Sequence, residues 1–177
     1  GPEQLRAGLE RVVLERFRLY TENLSPEEMF KELDRFRILC SVREGPYGVK
    51  TINAGVEKVL IGHGMIQPAG RWYCGRQVMI TVNDYNLGLF NGDVGLFLHD
   101  SESQNSIRAF FPGPEGSLRK FYPGRLPENE TVYAMTVHKA QGAEFDHVLV
   151  IVPDRQSPLL TRELIYTAIT RARESVT

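Results

Sequence analysis

The chain has 177 residues and a formal net charge of −1, with 21 Lys and Arg against 22 Asp and Glu. Free nucleic-acid-binding domains usually carry a clear basic excess, so any DNA contact of this chain is expected to be local and weak in isolation. Hydrophobic residues make up 42% of the chain, enough to bury a core. No apolar run approaches the roughly 20 residues of a membrane helix, and no signal peptide opens the chain, so we expect a cytoplasmic protein without a membrane partner.

The first part of the chain predicts helices around one strand. Apolar residues at helical spacing predict a first helix, namely Leu5, Leu9, Val12, Val13, Phe17 and Tyr20. Ser25-Pro26-Glu27-Glu28 is typical of a helix start, because Ser25 can cap the helix and Glu28 completes a capping box. A short buried strand is predicted over 36–41 and another helix from Val49. This alternation is typical of an α/β layered domain.

The two cysteines, Cys40 and Cys74, lie far apart and form no Cys-x-x-Cys pair. A metal or redox site needs closer clustering of ligands. We therefore expect two reduced, largely buried thiols and no metal site.

Between about residues 74 and 130 the pattern changes to short alternating strands. Alternating apolar residues predict two of them, with Val78, Ile80 and Val82 in the first and Val94, Leu96 and Leu98 in the second. Phe90-Asn-Gly-Asp93 predicts a tight hairpin turn between strands. Two more strands are predicted over 107–111 and 118–122, and 123–127 is interpreted as an exit linker. Four or five short strands in so few residues predict a small barrel of the size of an SH3 fold.

The barrel carries six aromatic residues that have two interpretations. They would either form a surface that binds a partner or fill the core of a barrel this small. These residues are Tyr85, Phe90, Phe110, Phe111, Phe121 and Tyr122.

The last part of the chain returns to α/β character. A strand is predicted over 132–135, and the continuous apolar run 147–152 is typical of a parallel strand covered on both faces. A helix through Leu164, Ala168, Ile169 and Ala172 follows, with one more strand at about 175–177. We therefore predict one α/β domain formed by residues 3–73 and 131–177, interrupted by a small barrel over 74–130.

No segment supplies a complete phosphate cradle, which needs a glycine-rich loop with a Gly-Lys pair. The nearest approach, Gly45-Pro-Tyr-Gly-Val-Lys50-Thr51, lacks the adjacency and the spacer, so Lys50 should lie on the flank of a helix. The apolar run before Pro153-Asp154 imitates a Mg²⁺-binding strand, but without a phosphate loop we expect a core strand with a solvated Asp154. The chain alone is therefore not expected to hydrolyse ATP.

Two motifs near the end of the chain give the clearest indication of a catalytic or binding function. The first is Thr136-Val-His-Lys-Ala-Gln-Gly-Ala-Glu-Phe145, and the second is Tyr166-Thr-Ala-Ile-Thr-Arg-Ala-Arg173. In phosphate-loop enzymes an arginine from a facing domain stabilises charge on the γ-phosphate. Arg171 and Arg173 are two positions apart on the predicted helix, so only one of them can face such a site. The alternative is a solvent-facing basic end of the helix that complements its dipole.

These motifs resemble the fifth and sixth helicase motifs of superfamily 1, most closely those of the RecD family, the α subunits of bacterial exodeoxyribonuclease V. Residues 43–48 resemble the fourth motif of that family, and 75–93 resemble its inserted SH3-like domain. The likeness covers about residues 35–173. It implies the second RecA-like lobe of a P-loop-NTPase-type protein, a parallel sheet with flanking helices interrupted by a small SH3-like β barrel.

The resemblance also implies roles for individual residues. Arg171 and Arg43 would be the catalytic arginines at the γ-phosphate. Gly142, Glu144 and Gln141 would approach the nucleotide, and Thr136, His138 and Lys139 would contact single-stranded DNA. Gln141 and Lys139 would also couple the two sites. For His138 the alternative is a loop-capping histidine, and for Lys139 it is a solvated side chain.

The function implied by the resemblance is that of a RecD-type ATP-dependent 5′→3′ DNA helicase in double-strand break repair and recombination. ATP with Mg²⁺ would be bound mainly by a first RecA-like lobe in cis, which this chain lacks, so the chain would be inactive alone. The expected partners are single-stranded DNA, that first lobe, and RecB- or RecC-like subunits. The alternative is a partner-docking adaptor or scaffold module of a RecBCD-like complex.

Overall fold

The computed structural model describes residues 2–17, 20, 23–154 and 160–177. The chain divides into two compact units. The parallel-sheet unit comprises Gly1–Glu22, Lys31–Val59 and Tyr133–Thr177, and the antiparallel-sheet unit comprises Asn23–Phe30 and Leu60–Val132. The described helices are α1 (Pro2–Arg16), α2 (Pro26–Arg35), α3 (Val49–Gly62) and α4 (Arg162–Ile169).

The parallel-sheet unit contains four strands in the order β7-β1-β8-β9. Their bounds are β1 (Phe36–Cys40), β7 (Ala134–Thr136), β8 (Phe145–Ile151) and β9 (Ala172–Val176). Every pairing in this sheet is parallel. The predicted mixed α/β fold with a parallel sheet is thereby confirmed.

Strand β1 lies inside this sheet and is buried along its whole length. Ile38 is paired with Ala134 on one side and with Leu149 on the other, as expected for a short apolar strand flanked by parallel neighbours. Strand β8 is less covered than its apolar run predicts. Val148 and Ile151 are buried, whereas Leu149 is half-buried and lines a cavity of about 310 Å³ beside α1.

Helix α1 contributes to the core of the same unit. Leu9 and Val13 are buried one helical turn apart, and Phe17, which follows the end of the helix at Arg16, is buried as well. The Phe17 ring contacts Phe36 with a centroid distance of 5.6 Å in an edge-to-face arrangement. The predicted helical spacing therefore identified the face that packs, although the helix ends before Phe17.

Helix α2 begins with the predicted capping box. The Ser25 backbone N–H donates to the Glu28 carboxylate at 2.8 Å, and the Glu28 N–H donates to the Ser25 hydroxyl at 3.2 Å. Two of the backbone donors that a helix start leaves unpaired are satisfied in this way.

The antiparallel-sheet unit contains five strands in the order β5-β4-β3-β2-β6. Their bounds are β2 (Gln77–Ile80), β3 (Val94–Asp100), β4 (Ser106–Pro112), β5 (Leu118–Phe121) and β6 (Asn129–Thr131). One face packs into an apolar cluster formed by Val78, Ile80, Leu89, Phe97, Ala109 and Phe111. The likeness of this unit to an SH3 barrel stays a prediction.

Two details of the antiparallel unit differ from the sequence-based expectations. The turn at 90–93 exists, with Asp93 N–H donating to the Phe90 carbonyl, but the hairpin it was expected to close is longer. The connection from β2 to β3 comprises residues 81–93. Within it Asp84 and Leu89 form an isolated antiparallel bridge, each donating its N–H to the carbonyl of the other. The expected exit linker at 123–127 is followed by β6, which returns to pair with β2. Strand β6 was missed because Asn-Glu-Thr shows no apolar alternation.

The aromatic residues of this unit divide between both interpretations. Phe110 and Phe111 are buried, with exposed fractions of 2% and 1%. Tyr85, Phe90 and Tyr122 are exposed, at 79%, 44% and 60%. The core therefore takes the aromatics of β4, Phe121 of β5 packs against that core half-buried, and the other three are exposed to solvent.

Candidate functional site

The first motif forms the connection between β7 and β8. Thr136 ends β7 opposite Cys40, the last residue of β1, and Phe145 begins β8 opposite Ala172, the first residue of β9. Because all four strands are parallel, Thr136 lies at the carboxyl edge of the sheet and Phe145 at the amino edge. The loop 137–144 thus runs from one edge to the other.

Short-range hydrogen bonds fold this loop. The Thr136 hydroxyl accepts from the Lys139 N–H at 3.2 Å, and the Ala140 N–H donates to the Thr136 carbonyl at 3.2 Å. Val137 and Ala140 are buried, and the side chain of His138 is exposed. The buried alanine and valine anchor the loop, so the polar residue between them faces solvent at the carboxyl edge.

The second half of the loop turns toward the amino edge. Gly142 has a φ of +84°, a left-handed conformation in which glycine is unstrained. A Cβ built there would meet nothing within 4 Å, so the requirement for glycine comes from the backbone and leaves open space beside it. Gln141, Gly142 and Glu144 are all exposed. The nucleotide residues implied by the resemblance therefore form an accessible stretch.

The second motif begins on α4 and ends on β9. Thr161 caps the helix, its hydroxyl accepting from the Leu164 N–H at 3.1 Å. The expectation that Arg171 and Arg173 lie on this helix is wrong, because α4 ends at Ile169. The Phe145 N–H donates to the Arg171 carbonyl at 2.8 Å, which draws the chain into the sheet. Arg171 therefore lies in the turn, and Arg173 lies on β9.

Arg171 connects the two motifs. Its Nη1 donates to the Ala143 carbonyl at 3.1 Å, its Nε to the Thr167 carbonyl at 3.3 Å, and its Nη2 to the Thr170 hydroxyl at 3.3 Å. The side chain is half-buried. The guanidinium thus holds the loop 137–144 against the end of α4.

Arg173 faces a different set of groups. Its Nε lies 3.3 Å from the Glu144 carboxylate and its Nη1 lies 3.4 Å from Asp146. The bond to Glu144 raises the pKa of Arg173 above its usual value. The side chains of Arg173 and Glu144 are both more than half exposed, so this pair is open to exchange with solvent or a ligand.

A charged cleft of about 390 Å³ lies beside this pair, lined by Lys31, Glu32, Asp34, Arg35, Asp146 and Arg173. Burial raises the pKa of Asp34, and the positive charges of Arg37 and Arg173 oppose that rise. Arg37 itself is buried under the Phe145 ring, with its guanidinium carbon 5.3 Å from the centroid. Burial lowers the pKa of Arg37 to about 10, so it stays charged at neutral pH.

Arg43 lies in the turn 43–48, which follows the carboxyl end of β1. The Lys50 N–H donates to the Arg43 carbonyl at 3.4 Å, and the Thr51 hydroxyl donates to the Gly45 carbonyl at 2.7 Å. Lys50 lies in the first turn of α3 and pairs with Glu44, a helix flank as the sequence predicts. Arg43 and Thr136 thus belong to the carboxyl edge, whereas Glu144 and Arg171 belong to the amino edge.

Asn53 on α3 is a residue that sequence reasoning missed. It is buried, its Nδ2 donates to the Ala134 carbonyl at 3.1 Å, and its Oδ1 accepts from the Ala134 N–H at 2.7 Å. The available signal was an amide between the apolar residues Ile52 and Val56, on the apolar face of a helix. Buried amides of this kind are usually held by specific hydrogen bonds.

The remaining sequence-based expectations concern metal ligands, membrane helices, the two cysteines and Asp154. Within the described ranges no group of three or more His, Cys, Asp or Glu could hold a metal ion, and no helix is long and apolar enough to cross a membrane. Cys40 and Cys74 are free thiols, and burial raises the pKa of Cys40 to about 12. Asp154 is exposed, as expected for a solvated residue after the strand.

The sequence of this chain is similar to those of known proteins. Residues 131–177, which contain both motifs, match the family model of the UvrD-like helicase C-terminal domain. The stretch that holds both motifs is thus similar to a helicase C-terminal domain. The RecBCD enzyme subunit RecD of Mycobacterium tuberculosis (strain ATCC 25618 / H37Rv) is 44% identical over 144 residues, which cover 81% of this chain and 24% of the relative. The resemblance to RecD is thereby confirmed: over most of its length the chain matches the C-terminal portion of RecD helicases.

Two further relatives agree with this assignment. The RecBCD enzyme subunit RecD of Haemophilus influenzae is 32% identical, covering 82% of this chain and 21% of that protein. The ATP-dependent RecD2 DNA helicase of Deinococcus radiodurans is 33% identical, covering 78% and 19%. The chain therefore spans about a quarter or less of the length of these relatives. The solved structure of Pif1 helicase from Candida albicans aligns with a TM-score of 0.49 and 15% identity, covering 98% of this chain and 52% of that chain.

Proposed function

We propose that the chain is the second RecA-like lobe of a RecD-type, ATP-dependent 5′→3′ DNA helicase, formed by residues 3–73 and 131–177 with an SH3-like insertion over 74–130. One observation carries the proposal: Arg171 bonds the carbonyl of Ala143 and so joins the two helicase motifs into one unit. Two segments that resembled helicase motifs only by chance would not be expected to contact each other in the folded chain.

The nucleotide in this proposal is ATP with Mg²⁺, held mainly by the first lobe of the parent protein. The described residues fit one side of such a site. Gly142 leaves open space at the amino edge, Gln141 lies beside it, and Glu144 offers a carboxylate that a ribose hydroxyl could bond. Bound ATP supplies the γ-phosphoryl group that is transferred to water.

Arg171 supplies positive charge to that reaction. Its guanidinium is held by two carbonyl oxygens and a hydroxyl, all neutral acceptors. A phosphate oxygen carries a negative charge that these acceptors lack, so the γ-phosphate would compete with the Ala143 carbonyl for the guanidinium. Arg43 is proposed as the second arginine. It follows β1 at the carboxyl edge, so it would have to approach the phosphate from the edge opposite to Arg171.

Thr136, His138 and Lys139 are proposed to contact the single-stranded DNA backbone. Their loop begins at the carboxyl edge, where Thr136 is half-buried and the His138 side chain is exposed. A hydroxyl, an imidazole and an ammonium group are all suitable donors to phosphate oxygens. Lys139 and Gln141 lie on the same loop as both sets of contacts and would couple them.

The wider setting is part of the same proposal. The parent would act in the cytoplasm in double-strand break repair and recombination, with RecB- and RecC-like subunits as partners. The relatives from Mycobacterium tuberculosis and Haemophilus influenzae are named as RecBCD subunits. The chain without its first lobe would be inactive.

The test uses the full-length parent protein with Arg171→Ala and a matched control, Arg162→Ala, at the exposed start of α4, the helix that precedes Arg171. Loss of a transition-state arginine is expected to lower the kcat of DNA-stimulated ATPase activity by about 10³-fold or more. Arg162→Ala should stay close to the wild type. Activities of both variants equal to the wild type, at equal DNA affinity, would refute the role of Arg171. A parent protein without DNA-stimulated ATPase activity would favour an adaptor or scaffold function.

A further inference from the structure

Asn53 occupies a position where an apolar residue would be expected. It lies on the buried face of α3, with Ile52 before it and Val56 one turn later, and its exposed fraction is 8%. Burying an amide is unfavourable unless all of its hydrogen bonds are made. The structure therefore has to offer this side chain specific partners.

Those partners are both backbone groups of Ala134. The Oδ1 of Asn53 accepts from the Ala134 N–H at 2.7 Å, and its Nδ2 donates to the Ala134 carbonyl at 3.1 Å. Strand β7 is the outermost strand of its sheet, with β1 on one side only. A carboxamide carries the same acceptor and donor as a peptide group. The Asn53 side chain therefore bonds the open edge of β7 as the backbone of a neighbouring strand would.

This contact lies close to the first motif. Ala134 is two residues before Thr136 on a strand of only three residues, and it is fully buried. A strand this short forms few backbone hydrogen bonds with β1. The two bonds from Asn53 are therefore a large share of the hydrogen bonds that hold β7 in place. Without them, two buried backbone groups would lose their partners, which is costly because water does not reach them.

The same helix also holds the turn that carries Arg43. The N–H groups of Val49 and Lys50, at its start, donate to the carbonyls of Val42 and Arg43 at 3.2 and 3.4 Å. Asn53 follows one turn later. Helix α3 therefore positions the turn after β1 at its first residues and strand β7 at Asn53.

We propose that Asn53 is a positioning residue for DNA binding: by pairing with Ala134 it fixes the end of β7, and with it Thr136 and the DNA-contacting loop. The inference rests on the proposed helicase function. Asn53 touches neither DNA nor nucleotide in this role. Its removal should weaken the response to DNA and leave ATP binding nearly unchanged.

The first experiment compares Asn53→Leu with Val56→Ala in the full-length parent. Leucine has a similar branching to asparagine and removes both bonds, whereas Val56→Ala perturbs the core of the same helix and keeps the pair. We expect Asn53→Leu to raise the single-stranded oligonucleotide concentration for half-maximal ATPase stimulation about tenfold, because part of the loss of the two hydrogen bonds lowers folding stability and only the rest weakens DNA binding. The KM for ATP should change less than about twofold, a difference below 0.5 kcal/mol. Val56→Ala should leave both quantities near the wild type at a comparable loss of Tm.

A second variant, Asn53→Asp, keeps the experiment informative if Asn53→Leu does not fold. The carboxylate still accepts from the Ala134 N–H, but it repels the Ala134 carbonyl until a proton bound to it restores the donor. The DNA half-saturation of Asn53→Asp, divided by that of the wild type at the same pH, should therefore fall as the pH is lowered. A ratio independent of pH would count against the paired geometry.

The outcomes separate this inference from the proposed function. If the wild-type parent shows no ATPase stimulation by the oligonucleotide, the proposed function fails. If the wild type is stimulated but Asn53→Leu behaves as Val56→Ala does at equal Tm, the positioning role is refuted while the function stands. An effect of Asn53→Leu on the KM for ATP alone would refute it as well.

Discussion

Gly48 is the residue on which the turn carrying Arg43 depends most directly. A Cβ at this position would lie 2.5 Å from the carbonyl carbon and oxygen of Glu44 and 2.6 Å from the carbonyl oxygen of Arg43. All three neighbours are backbone atoms, so no side-chain rotation relieves the contact. Gly48→Ala must therefore displace the turn 43–48 or the start of α3.

The cost follows from two contributions. Overpacking of a single methyl group costs about 1–3 kcal/mol. Displacing the turn also strains its hydrogen bonds, such as Gly48 N–H to the Gly45 carbonyl at 3.1 Å, each worth about 1 kcal/mol. We expect a total loss of about 2–4 kcal/mol, which lowers the urea midpoint by about 1–2 M for a typical denaturant dependence.

Urea unfolding of the chain followed by circular dichroism measures this loss. Gly8→Ala is the control, because a Cβ at Gly8 meets nothing within 4 Å and the residue lies within α1. Alanine is the better helix former, so this variant should be more stable by about 0.5–1 kcal/mol. If Gly48→Ala unfolds at the same urea concentration as the wild type, the steric reasoning is wrong.

Three further predictions concern buried groups. Arg37→Met should cost about 1–3 kcal/mol, because it removes the positive charge that opposes the raised pKa of Asp34 and leaves that carboxyl group without it; an unchanged midpoint in urea unfolding would contradict this. Gly95→Ala should cost about 1–3 kcal/mol, since its Cβ would lie 2.5 Å from the Phe111 ring; the fluorescence of Trp72, the single tryptophan, measures it. Lys120 lowers the pKa of Asp100, so the native state binds fewer protons than the unfolded state, and the stability this gives is lost as pH falls through the folded pKa. Lys120→Met should therefore flatten the acid side of the stability profile, and an unchanged profile would refute the pairing.

Local patterns predicted much of this chain because the forces behind them are local. The capping box at Ser25 and Glu28 forms as expected, since both partners lie within one turn. The buried run of β1 and the apolar face of α1 were also predicted from spacing alone. The two motifs identified the relatives, which the matches to RecD confirm.

The failures share one cause. The end of α4 was predicted too late, because the bond from the Phe145 N–H to the Arg171 carbonyl joins residues that are distant in sequence. Strand β6 was missed because its partner, β2, lies about 50 residues earlier and its own residues show no alternation. The roles of individual site residues stay predictions.

The sequence by itself determined the family likeness, the alternation of helices and strands, and which residues carry charge or a carboxamide. Only the tertiary structure decided what those groups face. Arg171 bonds the loop 137–144, and Asn53, a single amide on the buried face of α3, pairs with Ala134, 81 residues away. The physical reason is that a hydrogen bond depends on where two groups meet in space, and parallel strands bring together groups that no local pattern relates.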